Sequence, residues 1–132
     1  MRLDLKTELF SSPENHAWLA SAHGVDVGDP ITLDGATFLA AFPTGIIPSG
    51  VVVGKVTATG LYRAYLTGAV DGSQTALGHL LTTIDLGGTT AGTVGNTGAA
   101  LYWHGEVVEA KLPTGHGLDA GAKTALKQVR YV

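Results

Sequence analysis

Five histidines, His16, His23, His79, His104 and His116, are the side chains best able to hold a metal or move a proton near neutral pH. No two of them stand two, three or four residues apart, and no HExxH pattern occurs. His16 and His23 meet only if the chain folds them together, so each histidine is expected to be solvated or hydrogen-bonded rather than a metal ligand. The nearest approach to a phosphate loop is Gly50-Val51-Val52-Val53-Gly54-Lys55-Val56. Such a loop needs four residues between its glycines and a hydroxyl after the lysine. Here the spacer is three valines and the lysine is followed by Val56, which predicts strand and turn instead. Ser49 lies between Pro48 and Gly50, a turn setting, and the GxSxG pattern of a nucleophile elbow is absent. Glu106 and Glu109 are oddly spaced on an expected strand, so they face opposite sides and make a poor acid–base pair. The chain has no Cys, which removes disulfides, thiolate nucleophiles and Cys–zinc sites together. No catalytic, metal-binding or cofactor-binding constellation is expected.

The elements that would position these residues belong to one domain of 132 residues. Hydrophobic residues make up 45% and charged residues 14%, so a core can be buried but the surface is poor in charge. That balance fits a surface partly covered by copies of the chain or by a partner. The net charge of −3 comes without any run of Lys or Arg, which disfavours nucleic acid as a partner. No apolar stretch is long enough to cross a bilayer, and MRLDLKTELF lacks the continuous apolar core of an export signal.

Residues 1–28 read as an extended N-terminal arm. They are acidic and weakly patterned, with LDLKTELF as one helical turn or a strand, a turn at Pro13, and an apolar patch at Trp18-Leu19. Trp18 either folds back on its own domain or anchors the arm to a partner. Residues 29–132 read as a Gly-rich β domain. DPITLDGATF predicts a strand, a turn at Asp34-Gly35 and a second strand. β-branched runs at 46–47, 51–53 and 55–57 are bounded by Gly or Pro, which helix interiors tolerate poorly. Leu61–Leu66 suits a strand, and Asp71-Gly72 a turn. Residues 76–86 predict a strand, with a short helix as the alternative. GGTTAGTVGNTG over 87–98 predicts a loop. ALYWHGEVVEAKL predicts a hairpin around His104-Gly105-Glu106, with Trp103 in the core. Asp119 predicts a helix start, and the chain closes on a strand over 128–132.

Three segments resemble phage head decoration proteins of the lambda D family. They are GIIPSGVVVGKVTATGLYRAYLTGAVDG from Gly45, WHGEVV from Trp103, and the closing run from Leu118-Asp119-Ala120 to Val129-Arg130-Tyr131-Val132. The resemblance implies a mainly β fold, tulip- or barrel-like, with one or two short helices. It implies a homotrimer on the outer surface of an expanded head, bound to the major capsid protein and reinforcing the shell against packaged DNA. The protein would then be made in the host cytoplasm and end in the virion, with no enzymatic activity, cofactor, nucleic-acid partner or membrane partner. An arm that adds a strand to the shell uses backbone hydrogen bonds and gains from many copies. Leu3, Leu5, Leu9, Phe10, Trp18 and Leu19 are the candidates for that contact. The competing readings are a β-barrel or β-hammerhead ligand-binding or carrier module, and an enzyme with a site shared between subunits.

Overall fold

Val51, Val52 and Val53 all lie buried, and a strand sends successive side chains to opposite faces, so the sheet here must be covered on both sides. Our computed structural model describes residues 15–90, 92 and 94–132. Five strands close a barrel: β1 (Asp29–Leu33), β3 (Val52–Lys55), β4 (Tyr62–Ala64), β5 (Gly78–Leu80) and β7 (Thr97–Tyr102), in the order β1-β4-β3-β5-β7. The pairings are antiparallel, except that β1 meets β4 in parallel at Leu33 and Tyr62, where the Asp34 amide donates to the Tyr62 carbonyl over 2.9 Å. β1 and β7 pair along their length, from Asp29 opposite Leu101 to Leu33 opposite Thr97. The mainly β expectation and the barrel-like form are thus what the chain adopts.

The barrel interior is aliphatic. Ile31 and Leu33 of β1, Val53 of β3 with Val51 just before it, Leu80 of β5 and Leu101 of β7 pack with Phe38, Leu39, Ile47 and Leu86. The opposite face of the same strands supplies Val52, Leu81 and Tyr102 to a second cluster, which holds Trp18, Tyr65, Ala76, Val107, Ala122, Leu126 and Val129. Two small sheets complete the fold. β2 (Ile46–Ile47) pairs antiparallel with β6 (Ile84–Asp85), and β8 (Gly105–Val107) pairs in parallel with β9 (Val129–Tyr131).

Several local expectations change in the fold. Asp34-Gly35 does not turn a hairpin. The Asp34 carboxylate accepts from the Thr37 amide at 3.4 Å and starts α1, Gly35–Ala41. GATFLAA is rich in helix formers, and the helix places Phe38 and Leu39 in the barrel interior. The run over 76–86 forms two strands, β5 and β6, because the chain leaves β5's barrel partners to pair with β2. The expected 87–98 loop is shorter, since pairing with β1 extends β7 back to Thr97. β7 and β8 are strands as expected but not partners in a hairpin: β7 lies between β1 and β5, and β8 takes β9. The break falls at Gly105, whose φ of +148° favours glycine. A β-carbon there would overlap the Tyr102 hydroxyl and the His23 carbonyl. Trp103 is half-buried against the interior cluster. Asp119 caps α2 (Ala120–Ala125) as expected, accepting from the Ala122 amide at 2.8 Å.

Candidate functional site

The barrel holds some segments of the chain against itself and presents others. Of the residues assigned to the arm, Leu3, Leu5, Leu9 and Phe10 lie outside the described residues. The described part, residues 15–28, lies on the barrel. Trp18 is 1% exposed and sits in the second cluster, stacked on His79 with centroids 5.6 Å apart and edge-on to Tyr102 at 5.4 Å. Of the two places open to Trp18, the side chain occupies the one inside its own domain. The physical reason is that its polar atom is satisfied there: Trp18 Nε1 donates to Ser49 Oγ over 3.1 Å. Leu19 is half-buried and bridges antiparallel to Val107. The Val108 amide donates to the Trp18 carbonyl and the Ala20 amide to the Glu106 carbonyl, so residues 18–20 extend the β8–β9 sheet.

Ser49 ties the start of this segment down. Its hydroxyl accepts from Trp18 and donates to the Asn15 carbonyl at 2.8 Å, while its amide donates to Thr83 Oγ1. The proton a nucleophile would lose is thus committed to a backbone carbonyl. Gly50, with φ +100°, lets the next turn close over the indole: a β-carbon there would stand 2.9 Å from Pro113 Cδ and 3.2 Å from Trp18 Nε1.

The histidines, scattered in sequence, are partly gathered by the fold. His23 and His104 bring their rings to 4.6 Å, which the sequence spacing did not signal. His16 Nε2 lies 2.9 Å from the Leu81 carbonyl, and His116 Nδ1 accepts from the Leu118 amide. Among the described residues no group of three or more His, Cys, Asp or Glu is placed to hold a metal ion. Glu106 lies in β8 and Glu109 in a 3-10 turn, and each meets a cation, Arg130 at 3.8 Å and Lys123 at 2.6 Å.

The barrel presents an apolar turn tied down by hydrogen bonds at its base. The 66–70 turn carries Leu66, 53% exposed, and Val70, 95% exposed. Its base is fixed at both ends. The Tyr65 and Thr67 hydroxyls donate to Asp119, and the Leu66 amide donates to the Ser73 carbonyl. The Thr67 hydroxyl, the Ala122 amide and the Tyr65 hydroxyl hold the Asp119 carboxyl below its usual range. On the far side, the Ser73 hydroxyl and amide do the same for Asp71, which also pairs with Arg63 at 3.2 Å. Composition flagged a surface poor in charge. That Leu66 and Val70 would form an exposed tip had no local signal, because strand-flanking Leu and Val are more often buried.

The chain is thus a small closed barrel whose described polar side chains largely hold its own segments, and which offers an exposed apolar turn. The family model described as Bacteriophage lambda head decoration protein D matches residues 25–130, and the chain belongs to that family of phage head proteins. The match begins after Trp18 and Leu19 and ends at Arg130, so it covers the barrel, α1, α2 and the first two residues of β9 but not the first part of the segment lying on them. No curated protein matches the chain. No helix among the described residues is long and apolar enough to cross a membrane.

Proposed function

We propose that the protein binds the outer surface of an expanded phage head as a homotrimer, contacts the major capsid protein there, and stiffens the shell against the pressure of packaged DNA. The observation that carries this reading is the family match across residues 25–130. The low charge and the apolar 66–70 turn support a surface that is covered in the assembled state. Attachment through many copies allows each copy to bind modestly.

Within this reading residues 1–14 make the arm contact, through Leu3, Leu5, Leu9 and Phe10. Trp18 serves instead as the point where the arm is fixed to the barrel, since its indole is enclosed by the same chain. Removing residues 1–28 would therefore empty part of the second cluster as well as remove the arm. The informative truncation ends before Asn15. A chain lacking residues 1–14 should keep the circular dichroism of the full chain and co-sediment more weakly with expanded, undecorated heads. Equal binding by the two chains refutes the role of the arm. Images of decorated heads showing copies without mutual contact refute the trimer.

A further inference from the structure

His79 is a buried ionisable group with no part in the proposed attachment. Its Nδ1 lies 2.7 Å from the Gly50 carbonyl oxygen, which can only accept, so Nδ1 carries the proton. Nε2, 2.7 Å from the Tyr131 hydroxyl, then holds the lone pair of a neutral ring and accepts from the phenol. Trp18 stacks on the imidazole face at an interplanar angle of 26°. The neutral ring thus joins three stretches of chain: the segment at Trp18, the turn at Gly50, and β9.

A second proton would have to enter at Nε2, where the Tyr131 hydroxyl now points its own hydrogen. The phenol would have to turn round, and an imidazolium would stand in an apolar cluster. The Trp18 ring face attracts a cation, but burial outweighs that attraction and the other groups facing the site add little. His116 adds like charge. His16 lies edge-on to Trp18 at 6.3 Å, and Tyr102 edge-on at 5.4 Å. Glu109, the carboxylate nearest Tyr131 in effect, is paired with Lys123, whose ammonium also lies 5.9 Å from the centre of the Tyr131 ring. Burial, then Glu109 and Tyr102, push the Tyr131 phenol up, so it supplies no counter-charge.

We propose that His79 is an acid-sensitive latch: proton uptake at Nε2 releases residues 15–19 from the barrel while the barrel interior stays closed. The interior cluster is aliphatic and aromatic, with no histidine or carboxylate in its buried set, so the proton has no comparable effect there. Burial pushes the His79 imidazole down to about 4, His116 adds to that, and the Gly50 hydrogen bond opposes it. Once opened, the ring regains its ordinary value of 6.5. The closed state is therefore fully favoured above pH 6.5 and loses ground as pH falls toward 4. Between those limits the opening equilibrium rises about tenfold per pH unit, roughly 300-fold in all, and then levels off. That acid would also loosen the grip on a head rests on the attachment through residues 1–14 proposed above; the latch itself does not.

The test uses the free full-length protein, so a failure of the capsid reading leaves it intact. NMR would follow the His79 ring carbons, the Trp18 indole N–H and the β3 and β7 amides from pH 7 to 3.5. His79 should titrate near pH 4. Protection of the Trp18 indole, corrected for intrinsic exchange, should fall about tenfold per pH unit below 6.5 while the barrel amides stay protected. His79→Gln, which keeps donor and acceptor but takes no charge, should show constant indole protection. Protection that stays level in the parent chain, an equal fall in His79→Gln, or barrel amides that open in step with the indole would each overturn the latch. If His79→Gln does not fold, the parent decides alone: a Trp18 opening curve unrelated to the His79 titration overturns it.

Discussion

The two faces of the same barrel strands are built on different principles. The inner face is filled by aliphatic side chains and Phe38, which need only shape and burial. The outer face is filled by Trp18, Tyr65, Tyr102 and His79, each with a polar atom that must find a partner, and they find it on segments distant in the chain. Tyr102 shows the pattern: its hydroxyl donates to the His23 carbonyl and accepts from the Glu106 amide, and burial pushes its pKa up. The inner face closes the barrel. The outer face decides what the barrel holds against itself, including both ends of the described chain.

The sharpest way to break this contrast is to empty each cluster in turn. Phe38→Ala and Trp18→Ala should each cost about 3–5 kcal/mol in denaturant unfolding at pH 7, since both remove a fully buried aromatic. They should part company in their pH dependence. Phe38→Ala leaves His79 buried, so stability should still decline from pH 6.5 toward 4, by about 3 kcal/mol. Trp18→Ala opens His79 to water, its pKa returns toward 6.5, and the decline should shrink. Parallel pH profiles for the two variants would show that the outer cluster is not the pH-sensitive one. Below pH 4 a further loss is expected in both, because Asp71 and Asp119 have lowered pKa values and must then be protonated.

A smaller effect probes the link between the outer cluster and the exposed turn. Asp119→Ala removes the α2 cap and the acceptor of the Tyr65 and Thr67 hydroxyls. It should lower stability and raise hydrogen exchange at residues 66–70. A cost without faster exchange in that turn would mean that the carboxylate caps the helix but does not stiffen the tip. The smallest effect on folding belongs to the tip itself. Val70→Ser should change stability by no more than about 0.5 kcal/mol, since the side chain is almost wholly exposed. The same variant should weaken co-sedimentation with undecorated heads if the turn is covered on assembly.

Much of the strand content was legible in local chemistry. The valine run, the Gly–Pro punctuation and the closing Val-Arg-Tyr mark β3 and β9, and Asp119 marks α2, because dihedral preference and capping depend on near neighbours. The same local signals misread Asp34-Gly35, where aspartate serves a turn and a helix cap alike and only the burial of Phe38 and Leu39 chooses between them. The hairpin expected across His104-Gly105 failed for a related reason. Adjacent strands pair when the turn between them allows it, and here Gly105 instead closes on Tyr102 and His23.

By itself the sequence determined that this chain is mainly β and poor in charge, and that its character changes near Asp29, where β1 begins. Those properties are sums over residues or over short windows. Tertiary structure alone decided that the strands close as β1-β4-β3-β5-β7, that Trp18 belongs to the core, and that His79 is held neutral between Gly50 and Tyr131. Each of these rests on partners tens of residues away, and a side chain's burial and protonation follow from what surrounds it in space, which no window of sequence contains.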